Sequence, residues 1–209
     1  MPTDPRHLVF PPKGHPGGRI KGAALREFAI WMRRELGPDV AREVVADLPE
    51  AYRAGIDVDS EAFGLLASAW YAGEFTYALM ERVVRDMSRG EMQSFAHAGS
   101  VAALSVTLRG VHRALLRMVM SPDLHRRFAQ RLWDAHFDGG RVVVTPVEPQ
   151  CVEIAYWDWS AHHPMVCEMC TASDLVIYGA MGLRDVTSVT IACVSQGDER
   201  CAHLVRWSA

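Results

Sequence analysis

The chain has 209 residues, with 22 lysines and arginines against 25 acidic residues, a formal net charge of -3, 49% hydrophobic and 22% charged residues. These are ordinary globular values. They allow one sizeable core and exclude general disorder, and a pI near 6.3 gives no global basic field to recruit nucleic acid or an anionic membrane. No apolar run approaches the roughly 20 residues needed to cross a bilayer. The start, MPTDPRHLVFPPKGHPGG, lacks the charged and apolar regions of a signal peptide, so a cytoplasmic location with neither nucleic-acid nor membrane partners is expected. In that compartment five cysteines read as thiols, metal ligands or a redox pair rather than as a disulfide framework.

Residues 1–18 form an irregular arm rich in proline, glycine and histidine, and residues 19–209 are expected to be a single domain. Ile20 to Leu36 predicts a helix, with Ala24, Phe28, Trp31 and Met32 at helical spacing and Gly37-Pro38 as its stop. Pro38 to Leu48 predicts a second, shorter helix. Ser60 is the expected N-cap of an apolar segment running to Tyr71. Helices then follow over Gly73 to Met87, Glu91 to Leu108, Val111 to Met120 and Pro122 to Phe137, with Ser121 capping the last. At Asp138-Gly139-Gly140 the pattern changes, dividing a helical part, 19–137, from a sheet and helix part, 138–209.

In the second part RVVVTPVEP and QCVEIAYWDW read as strands joined by a Glu-Pro turn. Pro164 to Gly182 is helical, with proline where the first turn tolerates it and glycine where helices stop. VTSVTIACV is a β-branched strand, Gln196 to Arg200 a polar loop, and AHLVRW a closing strand. Helices followed by β-β-α-β-β give an α+β architecture with an antiparallel sheet. Cys167 and Cys170 share one face of the helix start, and the hairpin brings Cys193 and Cys201 together, so four thiols converge if the helix start lies over the hairpin end.

The segment from Cys167 to Trp207 resembles the C-terminal part of the 4-vinyl-reductase-type domain, a small-molecule-binding domain of phenol- and xylene-responsive activators. The matching features are Cys167 opening the helix, the small-residue helix to Gly182, a V-x-x-V strand, and Cys193-VSQGDER-Cys201. That domain is related in fold to haem nitric-oxide-binding domains and to TRAPP-type tethering subunits. The whole chain also looks like a family of myxobacterial proteins of about this size. The resemblance implies a structural zinc held by Cys167, Cys193, Cys201 and a glutamate three residues before Cys193. Here that position is Thr190, so Cys170 or Glu168 is left to supply the fourth ligand. The same cysteines also suit small buried hydrophobes, and Cys167-Glu-Met-Cys170 at a helix start, after His162 and His163, suits redox chemistry.

Ligand binding is the function the resemblance implies, in a cavity between helices and sheet. Trp133, Phe137, Tyr156, Trp157, Trp159 and Tyr178 gather around the predicted join and suit the lining of such a pocket or plain core. Among the helical histidines His97, His112 and His136, His112 is the candidate ligand-binding residue by placement. Haem is not expected, because no C-x-x-C-H attachment or other haem pattern occurs. Arg109, Arg113 and Arg117 form a stripe on one helix face, read as solvated. No G-x-S-x-G, P-loop, G-x-G-x-x-G or H-E-x-x-H is present, so no enzymatic activity is expected. The sequence therefore reads as a homodimeric sensory module for a small hydrophobic or aromatic ligand, signalling to a partner protein. The alternative is a non-catalytic interaction or scaffold module whose pocket is filled by side chains.

Overall fold

The chain enters through a strand, not through the helix expected from Ile20. The computed structural model describes residues 18–53, 55–107, 120–159 and 163–208. The N-terminal arm through residue 17, the expected helix from Val111 as far as residue 119 with His112, and the stripe Arg109, Arg113 and Arg117 lie outside the described residues. β1 (Arg19–Lys21) is the centre of a three-stranded antiparallel sheet, flanked by β2 (Trp70–Ala72) and β3 (Phe137–Asp138). The backbone approach is close here: a Cβ on Gly22 would lie 2.1 Å from the Leu66 carbonyl oxygen, so only glycine lets the strand turn directly into a helix.

That helix, α1 (Gly22–Leu36), buries Leu25, Phe28, Ala29 and Met32 at helical spacing and ends at Gly37, whose φ of 84° suits glycine. α2 (Pro38–Ala46) starts on the proline, as expected, and a short α3 (Glu50–Arg53) follows. No helix forms after Ser60. Instead the Asp57 carboxylate accepts from the backbone N–H groups of Asp59 and Ser60, at 3.1 and 3.3 Å, and Phe63 and Gly64 take positive φ. A side chain that satisfies these amides locally competes with the helix, and left-handed residues end it. α4 (Gly73–Val84) and α5 (Arg89–Thr107) complete this half. The start of α5 is a reciprocal capping box, in which Ser88 N donates to Glu91 Oε2 at 2.7 Å and Glu91 N to Ser88 Oγ at 3.3 Å. α6 (Pro122–Asp134) is capped by Ser121 Oγ, which accepts from Leu124 N at 3.2 Å.

The second half is the expected β-β-α-β-β unit. β4 (Arg141–Glu148), β5 (Cys151–Trp157), α7 (Pro164–Ala180), β6 (Arg184–Ala192) and β7 (Cys201–Ser208) follow in order. The sheet order is β4-β5-β7-β6, antiparallel throughout. α7 and α6 cover its inner face, where Val144, Val152, Ile154, Tyr178 and Val205 form one cluster. A larger cluster runs from Phe28, Met32, Leu79 and Met80 through to Trp133, Trp159 and Met165, and so joins the two halves across residue 138. Each fully buried large side chain in it contributes about 1.5–3 kcal/mol of burial free energy. The mixed α+β class is as the sequence implies.

Candidate functional site

β-strand alternation decides which side chains meet. On β7, Cys201, His203 and Val205 face α7, while on β5 Tyr156 faces inward and its neighbour Trp157 outward. α7 presents Cys167, Thr171, Asp174 and Tyr178 to the sheet at spacings of three or four residues, and all four are buried. His163 caps this helix: its Nδ1 accepts from Met165 N at 3.1 Å, its Nε2 lies 3.1 Å from Glu81 Oε2, and its ring stands edge-on to Tyr77. It therefore serves the helix end and Glu81 instead of the Cys167 thiol.

Three of the four expected metal ligands converge. Cys167 Sγ lies 2.9 Å from Cys201 Sγ and 3.7 Å from Cys193 Sγ, and the three sulfurs all lie within 4.8 Å of one another. Tetrahedral thiolates at about 2.3 Å from an ion would stand about 3.8 Å apart, close to the second distance. The hairpin turn holds Cys193 in place: its N–H donates to Asp198 Oδ2 at 2.7 Å, and Gly197 takes the left-handed conformation that closes the loop. Cys193 Sγ also contacts Ser195 Oγ at 2.9 Å. Hydrogen bonds with Cys167 and Cys201 pull the Cys193 thiol below its ordinary value, and bonds with Cys193 and Cys201 push Cys167 well above it.

Cys170 stands outside this group. It faces the aromatic interior, and burial raises its thiol pKa strongly. Glu168 is directed elsewhere, accepting from Gln93 Nε2 at 2.9 Å. Thr190, at the position where the resemblance places a glutamate, has its hydroxyl 3.1 Å from that of Thr171.

The expected aromatic lining divides. Trp133 and Tyr156 face a small cavity together with Trp159, Val166, Cys167, Cys170, Cys201 and His203. Phe137 stacks on Trp133 at 3.9 Å, behind that wall. Trp157 lies on the other face of the sheet, between Arg141 and Arg200 at 5.3 and 5.0 Å. Tyr178 belongs to the far end of the inner face, with His125 Nδ1 at 3.1 Å from its hydroxyl and Trp207 beside it. Of the other histidines expected on helices, His97 is exposed on α5, and His136, just past the end of α6, has Nδ1 3.1 Å from Leu132 O.

Two residues of the site were not singled out from the sequence. His203, 0% exposed, has Nδ1 2.9 Å from Asp174 Oδ2, and Asp174 is 3% exposed. Ser188 Oγ donates to the same carboxylate oxygen at 3.4 Å. His203 Nε2 is buried with no hydrogen-bond partner among the described residues. The available signals were one carboxylate in the otherwise apolar TASDLVIY and the inward alternation Cys201, His203, Val205. Burial, then the Asp174 charge, holds the Tyr156 hydroxyl pKa well above its ordinary value, so beside this pair it stays protonated. The cavity in front of the imidazole measures about 10 Å³, enough for one water.

No family model and no curated protein matches the chain. Neither the 4-vinyl-reductase type nor the myxobacterial family is therefore shown. Among solved structures the chain is similar to an Fe(II) unliganded H-NOX protein from K. algicida, at TM-score 0.64 and 10% identity, covering 91% of this chain and 97% of that one. It is similar to an H-NOX protein from S. oneidensis in the Fe(II)NO ligation state, at TM-score 0.57 and 11% identity, covering 91% and 100%. It is also similar to an oxygen-binding H-NOX domain related to soluble guanylate cyclases, at TM-score 0.58 and 10% identity, covering 91% and 96%. These similarities show the fold.

They also correct the expectation on cofactors. The missing attachment motif spoke against haem, yet a further similar structure, at TM-score 0.63 and 10% identity and covering 91% of this chain and 96% of that one, bears on the function of haem distortion in the H-NOX family. A missing C-x-x-C-H excludes only covalent attachment; a haem held by one axial side chain and by packing leaves no short pattern. Haem is thus a candidate cofactor of this fold. In this chain an imidazole nitrogen backed by a carboxylate fits as an iron donor. The volume beside it does not accommodate a porphyrin in this side-chain arrangement.

Proposed function

We propose that this chain is a sensory domain that takes a small ligand into the interior between α7 and the four-stranded sheet and passes the change to a partner protein. A homodimeric assembly belongs to the same proposal. The observation that carries it is the unpartnered His203 Nε2 inside an otherwise apolar, aromatic cavity, because buried polar groups are almost always paired and an unpaired one waits for a partner. The similarity in fold to H-NOX domains supports a ligand sensor, whether the ligand is a small aromatic molecule or is bound through a haem. The thiol trio serves as a staple between α7 and the β6–β7 hairpin, filled by a thiophilic metal ion. No helix among the described residues is long and apolar enough to cross a membrane.

A ligand acts here only through a difference in affinity for two conformations. Widening the cavity moves α7 relative to β7, and the same helix carries Cys167 and Asp174, so occupancy is registered on α7. The test is to add haemin, and separately a panel of small aromatics, to the purified chain while recording the absorption spectrum and the melting temperature. A Soret band, or a rise in melting temperature that saturates with an aromatic, is expected. A chain that responds to neither has no ligand site in its interior.

The size of the cavity favours a second reading. An interior that stays filled by Trp133, Phe137 and Trp159 would leave a non-catalytic interaction module. The same experiment separates the two.

A further inference from the structure

We propose that the free edge of β6 is the surface through which two copies of the chain pair, extending the four-stranded sheet across a two-fold axis. The inference names the interface of the dimer proposed above and rests on that part of the reading, not on the ligand. In the order β4-β5-β7-β6 both β4 and β6 are edges, and each presents a row of N–H and C=O groups that no described strand meets. The two edges are guarded differently. β4 carries Pro146, which has no N–H to donate, and its register shifts between Pro146 and Glu148. Its Val142 N–H already donates to Gln130 Oε1 of α6 at 2.7 Å. β6 has no proline and no lysine, and from Val186 to Ala192 it reads VTSVTIA, without a charge. Its register shifts fall towards the two ends and leave Thr187–Thr190 regular.

The side chains point to the occupant. Alternation sends Ser188 and Thr190 inward, to Asp174 and Thr171, and sends Thr187, Val189 and Ile191 to the outer face. Val189 and Ile191, 50% and 49% exposed, are large apolar side chains left in water. An antiparallel pair about an axis through Val189 sets Val189 against Val189 of the partner subunit, and Thr187 against Ile191 of the partner subunit. These are β-branched cross-strand pairs of the kind that stabilise a sheet. In this register Arg184 and Asp185 fall past the end of the partner's strand, so no like charges meet. An uncharged row offers a charged partner no counter-charge, and it fits a strand of its own pattern. Contact along one short edge covers well under the roughly 800 Å² per partner of a standard interface, so dissociation is expected at about micromolar concentrations or above.

The test is sedimentation velocity of the full chain up to about 1 mM, the upper limit for a weak interface, with amide hydrogen exchange measured at the same concentrations. A dimer is expected to form as concentration rises, and exchange within Val186–Ala192 to slow with it while β4 stays unchanged. Val189→Lys sets two like charges opposite each other and is expected to weaken the dimer about tenfold or more, with the melting temperature of the monomer unchanged. Val147→Lys, at a position 54% exposed on β4, is expected to leave the dimer as it was. A dimer that persists in Val189→Lys, or that forms with no change at the β6 amides, overturns this interface and leaves the dimer standing. A chain that stays monomeric throughout overturns both and leaves the ligand reading untouched. Exchange in the unmodified chain decides the matter even if a variant fails to fold.

Discussion

His125 shows how one buried side chain makes stability depend on pH. It sits on α6 at 6% exposure, with Nδ1 3.1 Å from the Tyr178 hydroxyl and its ring edge-on to that tyrosine. Burial lowers its pKa, and the Asp174 charge only partly opposes this. In the unfolded chain the group returns to about 6.5, so below that pH the unfolded state binds the extra proton first. Stability is therefore complete above about pH 6.5 and is lost as the pH falls towards the folded pKa. Melting curves across this range are expected to show a falling midpoint that His125→Gln flattens. An identical slope in the two proteins would remove His125 as the cause. The His125 and His203 pairings could not be read from the sequence, because their partners lie 53 and 29 residues away and no local pattern encodes such a meeting.

At the scale of elements, the unit of α7 with the β6–β7 hairpin is the most legible part of the chain. Pro164, Gly182 and the β-branched run after it are local signals, and the helix and both strands form where they place them. Caps at Ser121 and the stop at Gly37-Pro38 are likewise local and hold. Ser60 misleads because Asp57 satisfies the same amides without a helix. The strands β1, β2 and β3, of two or three residues each, are too short for any hydrophobic period to declare them. The thiol site was legible as three cysteines, while the role of Cys170 depended on which face of α7 meets the hairpin. Elemental analysis of the protein is expected to find one thiophilic ion per chain, lost in Cys193→Ser and retained in Cys170→Ser. Equal retention in both variants, or none in the unmodified chain, would leave the trio as packed thiols.

For the whole molecule, the order of helices and then β-β-α-β-β was enough to give the α+β class, and the similar solved structures share that layout across most of the chain. The cofactor question was not legible in the same way. A haem or an aromatic ligand held without covalent attachment is encoded in cavity shape and one donor atom, neither of which is contiguous in sequence. What unites the molecule is the seam where Trp133, Trp159 and Met165 join the helical core to α7 and the sheet. A ligand placed there touches both halves, which is the condition for a change in one to be felt in the other. Opening of this seam to admit a ligand is open to direct test in a crystal structure grown with a small brominated aromatic, 3-bromopyrrole. An anomalous bromine peak is expected between α7 and β7, against Tyr156 and Trp133 and within reach of His203. A closed interior, with bromine found only on the surface, would contradict it.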